Sequence, residues 1–227
     1  MTEVNYLESL NPLQYESVCS TEGPNLIIAG AGTGKTKVLT TRVAHIIDNN
    51  LAFPSQILCV TFTNKAAREM SERVQKLVSQ NMEKMPWMGT FHSIGAKIIR
   101  NHAEVIGLKQ SFTILDKDDQ LSLIKQIIKA ENLDQSQFSP KLIQSKIDHW
   151  KNKALNPNDI KSESLDNLVD EKSLSIYKIY QARLFEINCL DFGDLLLQCI
   201  NLFKVTDIHK RYSNNFKYIH VDEYQDT

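Results

Sequence analysis

Hydrophobic residues in the first hundred positions fall into two alternating patterns. One is the short continuous run. It occurs at Leu26-Ile27-Ile28, at Ile57-Leu58-Cys59-Val60 leading to Thr61 and Phe62, and at Trp87-Met88 ahead of Gly89-Thr90. The other is a stripe at helical spacing. It is carried by Leu39, Val43, Ile46 and Ile47, then by Ala66, Met70, Val74 and Leu77, then by Ile94, Ile98 and Ile99. An uninterrupted apolar run suits a strand covered on both faces, as in a parallel sheet. The stripes suit helices that do the covering. The pattern predicts strands over 25–29, 57–62 and 87–90, each followed by a helix. That alternation is an α/β fold, a parallel sheet with helices on both faces. Thr63-Asn64 caps the second helix.

The pattern changes after Gly107. Helical periodicity runs over 116–130, 139–153 and 170–188, with breaks at Pro140 and at Asn156-Pro157-Asn158-Asp159. This predicts an all-helical inserted domain at 111–186, between a first α/β segment at 1–110 and a return at 187–227. Lys141, Lys146, Lys151 and Lys153 surround Trp150. They suit either a charged stacking surface or a core tryptophan with solvated neighbours. The return passes through Leu190-Asp191-Phe192-Gly193-Asp194-Leu195 and a helix ending near Phe203. It then enters an apolar strand at Lys217.

Candidate chemistry sits at two strand ends. Ala29–Thr36 reads AGAGTGKT, between the first apolar run and the first stripe. Strand, glycine-rich loop and helix are the context of a phosphate-binding loop. Gly30, Ala31, Gly32, Thr33 and Gly34 let main-chain N–H groups turn inward around an anion, at a helix N-terminus whose dipole favours it. Lys35 would reach the β- and γ-phosphates of ATP, and the Thr36 hydroxyl would ligate Mg²⁺. Ala29 stands where the usual G-x-x-x-x-G-K-S/T pattern begins with Gly; a small residue still permits the turn. The second constellation is Asp222-Glu223, after Tyr218-Ile219-His220-Val221. Acids at the carboxyl end of a buried strand lie where open parallel sheets bind ligands. Asp222 would hold the metal, and Glu223 would orient and deprotonate the attacking water.

Bulk properties narrow this little. With 227 residues the chain has room for one large or two small domains, and 42% hydrophobic with 23% charged content is ordinary for a globular protein. A net charge of −1 gives no global basic field, so any nucleic-acid contact rests on a local groove. The four cysteines, Cys19, Cys59, Cys189 and Cys199, lack metal-ligand spacing and read as reduced thiols in a cytoplasmic protein. No apolar run approaches membrane-spanning length, and no membrane partner is expected.

The order of motifs resembles the UvrD/Rep/PcrA type of superfamily 1 DNA helicases across the whole chain. It rests on Leu10-Asn11-Pro12-Leu13-Gln14, AGAGTGKT, Phe62-Thr63-Asn64-Lys65-Ala66-Ala67 and Gly89-Thr90-Phe91-His92-Ser93. It continues in Asn188-Cys189-Leu190-Asp191-Phe192 and Asp222-Glu223-Tyr224-Gln225-Asp226-Thr227. The resemblance implies a RecA-like P-loop motor domain with a helical accessory domain inserted, and ATP hydrolysis coupled to 3′→5′ movement on DNA. It implies that Gln14 reads the adenine edge and that Lys37 joins the nucleotide site. It implies that Phe62, Thr63, Asn64, Lys65, Thr90, His92 and Phe192 contact single-stranded DNA. From the residues alone, Phe62 suits core packing as well as base stacking, and Arg68 suits a mixed solvated face beside Glu69 and Glu72.

Two positions depart from the family. Lys37 replaces an expected Arg, keeping charge but losing the planar fork, and Gly193 replaces an expected Asp. The implied partners are single-stranded and forked DNA, with repair or replication proteins beside them. Two rival functions are the helicase subunit of a helicase–nuclease and a non-motor nucleotide switch. The sheet is expected to be incomplete at its C-terminal end. The chain is expected to be an N-terminal fragment that binds nucleotide, hydrolyses little and does not unwind.

Overall fold

The computed structural model describes residues 6–78, 85–134, 136–161 and 168–226. The chain divides into two compact units, residues 1–94 with 210–227, and residues 95–209.

The first unit is built on a three-stranded parallel sheet. Its strands are β1 (Ile57–Thr61), β2 (Met88–Thr90) and β5 (Tyr218–Val221), in the order β2-β1-β5. β1 is central, and its Cys59 pairs with Met88 on one side and His220 on the other. Burial on both faces explains why this run is apolar throughout. Helices α1 (Pro12–Cys19), α2 (Lys35–Asp48) and α3 (Asn64–Leu77) accompany the sheet. Val43, Ala44 and Ile46 of α2 meet Ile57 and Cys59 of β1 and Met70 and Val74 of α3 in one dry cluster. Val43, Ile46, Met70 and Val74 are stripe positions of the two helices, and Ala44 joins them from beside the stripe. Thr63 caps α3 as expected, its hydroxyl accepting from the Ala66 N–H at 3.1 Å.

The expected strand over 25–29 is not formed. Residues 24–30 have no regular structure, and Leu26 and Ile28 are 74% and 89% exposed. A strand exists only by bonding to a neighbour. Among the described residues none pairs with this segment. The Asn25 side chain instead donates to the carbonyls of Ser20, Glu22 and Gly23, closing a turn ahead of the run.

The second unit is mainly helical. It contains α5 (Lys117–Ala130), α6 (Pro140–Asn152), α7 (Leu168–Glu186) and α8 (Phe192–Phe203). Its core joins Ile124, Ile127 and Ile128 of α5 to Ile143 and Ile147 of α6 and Tyr177, Tyr180 and Leu184 of α7. Trp150, partly buried, packs against that core and stacks on Tyr177 with ring centroids 5.8 Å apart, in keeping with the core reading. Two short strands, β3 (Thr113–Leu115) and β4 (Cys189–Asp191), form a separate parallel pair. β3 lies inside the stretch predicted to be all-helical; three residues are too few for a periodicity to register. The remaining α-helices among the described residues are α4 (Phe91–Asn101) and α9 (Thr206–Asn215). In the first unit Trp87 meets Tyr212 and Phe216 of the α9 region edge-on, at 5.7 and 5.3 Å.

Candidate nucleotide site

The loop Ala29–Lys37 is shaped by its glycines. Gly32 and Gly34 adopt positive φ, +74° and +92°, where a side chain would be strained. Gly34 caps α2 in this left-handed conformation, and its carbonyl accepts from the Val38 N–H at 3.0 Å. The Thr33 hydroxyl donates to the Gly30 carbonyl at 2.7 Å. Lys35 curls back on the loop, its Nζ 3.2 Å from the Ala29 carbonyl and 3.3 Å from that of Gly30. These are long bonds to neutral acceptors, which a phosphate would replace with shorter charge-assisted ones.

The lead-in helix is tied to this loop. Gln14 completes a capping box on α1, its Oε1 accepting from the Asn11 N–H at 3.1 Å. Its Nε2 donates to the Thr33 carbonyl at 3.0 Å. Lys37 Nζ donates to the Ser9 carbonyl at 2.6 Å, so it bonds to main chain without needing the fork of an arginine. Arg42, two turns along α2 and 7% exposed, donates to the Ser17 carbonyl at the far end of α1.

The acids stand at the carboxyl end of β5. Asp222 is 9% exposed, and its N–H donates to the Val60 carbonyl at 2.9 Å. Its Oδ2 accepts from the Thr61 hydroxyl at 3.2 Å, so the last residue of β1 orients the carboxylate. Glu223 follows at φ +49°, a left-handed conformation that costs a non-glycine residue about 1–2 kcal/mol. Such strain at a chemically apt residue is a frequent mark of a functional turn. The Gln225 side chain donates to the Glu223 carboxylate.

His220 is buried on β5, two residues before Asp222. Burial, reinforced by the Arg42 charge, lowers its pKa to about 4 and keeps it neutral. Gln14, Thr33, Arg42, His220, Asp222 and Thr61 all lie in the first compact unit, where Gln14 bonds to the loop, Arg42 to α1 and Thr61 to Asp222. Among the described residues no group of three or more His, Cys, Asp or Glu could enclose a metal. A metal here would draw on the Thr36 hydroxyl, the Asp222 carboxylate and the nucleotide's own phosphates. These hard oxygen donors suit Mg²⁺.

The residues expected to meet DNA fall in both units. Phe62 follows β1 and is 62% exposed, so it is not a core residue; Asn64 and Lys65 follow it, also exposed. Arg68 pairs with Glu72 at 3.5 Å on a solvated helix face. Thr90 is 6% exposed and caps α4, its hydroxyl accepting from the Ser93 N–H at 3.1 Å. His92 is half-buried, and desolvation lowers its pKa. Phe192 belongs to the second unit, where it opens α8, half exposed.

Sequence reasoning missed Thr61, Arg42 and His220. Thr61 becomes visible only when strand register is known. Arg42 carried a faint signal, being one residue from the stripe position Val43.

A parallel sheet, a glycine-rich loop opening a helix and a strand ending in acids are the features of the P-loop nucleotide-binding class. Residues 10–227 match the UvrD/REP helicase N-terminal domain, and the chain belongs to that family. It is 47% identical over 222 residues to the ATP-dependent DNA helicase PcrA of Staphylococcus aureus, covering 97% of this chain and 30% of that protein. It is 45% identical over 219 residues to the PcrA helicase of Leuconostoc citreum, covering 96% and 29% respectively. The chain thus spans about a third of the length of these relatives. Among the described residues no helix is long and apolar enough to cross a membrane.

Proposed function

We propose that this chain is the ATP-binding part of an ATP-dependent DNA helicase. The observation that carries the reading is the glycine loop, with Gly32 and Gly34 at positive φ and Lys35 folded back over it, in the same compact unit as Asp222, whose carboxylate Thr61 orients at the end of β5. The relatives named as ATP-dependent DNA helicases support the coupling to DNA. In this reading residues 1–110 and 187–227 belong to the first motor domain and 111–186 to its helical accessory domain. The loop amides and Lys35 hold the triphosphate, and Gln14 reads the base. Thr36 and Asp222 hold Mg²⁺, and Glu223 activates water. Phe62, Thr63, Asn64, Lys65, Thr90, His92 and Phe192 contact single-stranded DNA, with base–aromatic stacking worth about 1–3 kcal/mol per base. The protein moves 3′→5′ on single-stranded and forked DNA, in the cytoplasm, in repair or replication. The 227-residue chain alone binds nucleotide without unwinding.

The test uses the full-length protein. ATP hydrolysis is expected to rise sharply with single-stranded DNA, and Lys35→Ala is expected to abolish nucleotide binding. A rate indifferent to DNA would instead favour a nucleotide switch. Unchanged nucleotide affinity in Lys35→Ala would overturn the loop assignment.

A further inference from the structure

The second unit contains an ion cluster that the nucleotide chemistry does not use. Lys151 of α6 has a fully buried side chain, with Nζ 2.6 Å from Asp191 Oδ2 and 2.7 Å from Asp194 Oδ1. Both carboxylates are themselves buried. The Tyr180 hydroxyl donates to Asp191 Oδ2 at 2.8 Å, and Gln181 Nε2 donates to Asp194 Oδ1 at 3.1 Å. The ammonium also lies over the Tyr177 and Tyr180 rings, 5.7 and 5.2 Å from their centroids.

These two aspartates are the capping box of α8. Asp191 accepts from the Asp194 N–H at 2.9 Å, and Asp194 accepts from the Asp191 N–H at 3.2 Å. A capping box is ordinarily a hydroxyl residue paired with one acid. Two buried acids in this role repel each other, and a cation between them relieves the repulsion. Between the two caps lie only Phe192 and Gly193. Phe192 is the first residue of α8, so the box fixes the backbone from which its ring leaves the helix.

Gly193 completes the fit. A Cβ there would lie 3.0 Å from Lys151 Cδ and 3.1 Å from Lys151 Cβ. The aliphatic stem of the lysine occupies the space a side chain would need. The glycine found where the family resemblance leads one to expect Asp is thus the complement of the buried lysine.

We propose that Lys151, acting through the Asp191–Asp194 cap and accommodated by Gly193, is a positioning residue that aims Phe192 at single-stranded DNA. The inference rests on the reading of Phe192 as a stacking residue of a DNA-dependent ATPase. A hydroxyl–acid box would cap α8 without burying three charges. The cation adds a fixed geometry at the one turn that presents the phenylalanine.

The test is a double-mutant cycle in the full-length protein. It reads the oligodeoxythymidine concentration that half-saturates ATPase stimulation, and separately the rate at saturation. Phe192→Ala is expected to raise half-saturation about tenfold, the scale of one lost base stack. Lys151→Met is expected to raise it about fivefold, with less than a twofold fall in the saturated rate, and to add nothing in the Phe192→Ala background. Gly193→Ala, which only pushes the lysine stem, is expected to give about a twofold rise that likewise vanishes in that background. It carries the test should Lys151→Met fail to fold. Multiplying rather than overlapping effects, or no rise in either variant, would overturn the inference while leaving the ATPase reading intact. A silent Phe192→Ala with DNA-stimulated hydrolysis would remove the Phe192 assignment and this inference together. Hydrolysis that ignores DNA altogether would remove the motor reading beneath both.

Discussion

Lys35 and Lys151 are the same residue type in opposite circumstances, one in each compact unit. Lys35 is half-buried and touches two main-chain carbonyls at 3.2 and 3.3 Å. Lys151 is wholly buried and touches two carboxylates at 2.6 and 2.7 Å. The first arrangement is loose and neutral, so a phosphate can displace it at little cost. The second is short and ionic, and no mobile ligand competes with it. On the proposed reading, a lysine kept for a phosphate is held by weak acceptors, whereas a lysine kept for architecture is held by ionised partners.

The contrast is sharpest under deletion. Lys35→Ala in the full-length protein is expected to lower ATP turnover at least about 100-fold, as removal of one preorganised charge-stabilising donor does. Its thermal midpoint is expected to move little, since stability changes at such a site stay within about 0.5 kcal/mol. Steady-state hydrolysis and a melting curve on the same sample check both halves. A large fall in stability would mean that Lys35 is structural and would erase the distinction. Lys151→Ala is expected to behave in the reverse sense. It leaves two buried acids without their cation and is expected to cost about 3–5 kcal/mol. Hydrogen exchange of α5–α7 amides measures it directly, and a loss below about 1 kcal/mol would show that water reaches the cluster.

How much of this was legible in the chain depends on whether the chemistry needs consecutive residues. The glycine loop and the Asp222-Glu223 pair are contiguous, so the sequence carries them whole. The helices at 117–130 and 140–152 were equally plain, because an amphipathic stripe is a local property. The missing strand at 25–29 was not, since a strand depends on a neighbour that no local pattern supplies. Lys151 hid in a group of lysines that suited solvent, yet Ile143, Ile147 and Lys151 recur at four-residue steps. That spacing places the lysine on the buried stripe. What no pattern could supply was Asp191 and Asp194, forty residues on, as the reason a charge is tolerated there.

Acidification separates the two units by sign. His220 has its pKa lowered from 6.5 to about 4 by burial and by Arg42, so the folded form binds fewer protons than the unfolded form between those values. Its contribution is present above pH 6.5 and is lost as pH falls toward 4. His45 and His92, in the same unit, are lowered too, chiefly by desolvation. Asp194 is raised from 3.8 to about 6, chiefly by burial, with Lys151 opposing and Asp191 adding to the rise. Its contribution is complete below pH 3.8 and is lost as pH rises through 6. Between pH 7 and pH 5 the His220 shift removes about 2 kcal/mol from the first unit, while the Asp194 shift, upward because of burial, acts in the opposite sense on the second. Hydrogen exchange at the two pH values, corrected for intrinsic rates, is expected to loosen β1 and β5 and to tighten α5–α7. Parallel movement of both sets would refute the assignment of opposite shifts.

The smallest expected effect lies at the apolar run before the loop. Ile28 is 89% exposed, so replacing it removes almost no buried area from the 227-residue chain. Ile147 is fully buried among α5, α6 and α7, and its truncation to Ala is expected to cost about 2–5 kcal/mol. Ile28→Thr keeps the β-branch while shortening the side chain and making it polar, and is expected to shift stability by less than about 0.5 kcal/mol. Denaturant midpoints of the two variants, measured side by side, test whether the segment carries any core. A cost for Ile28→Thr near that of Ile147→Ala would require residues 25–28 to be buried in solution. The run would then be a strand with a partner, and the exposed-loop description of the nucleotide site would give way to a sheet-anchored one.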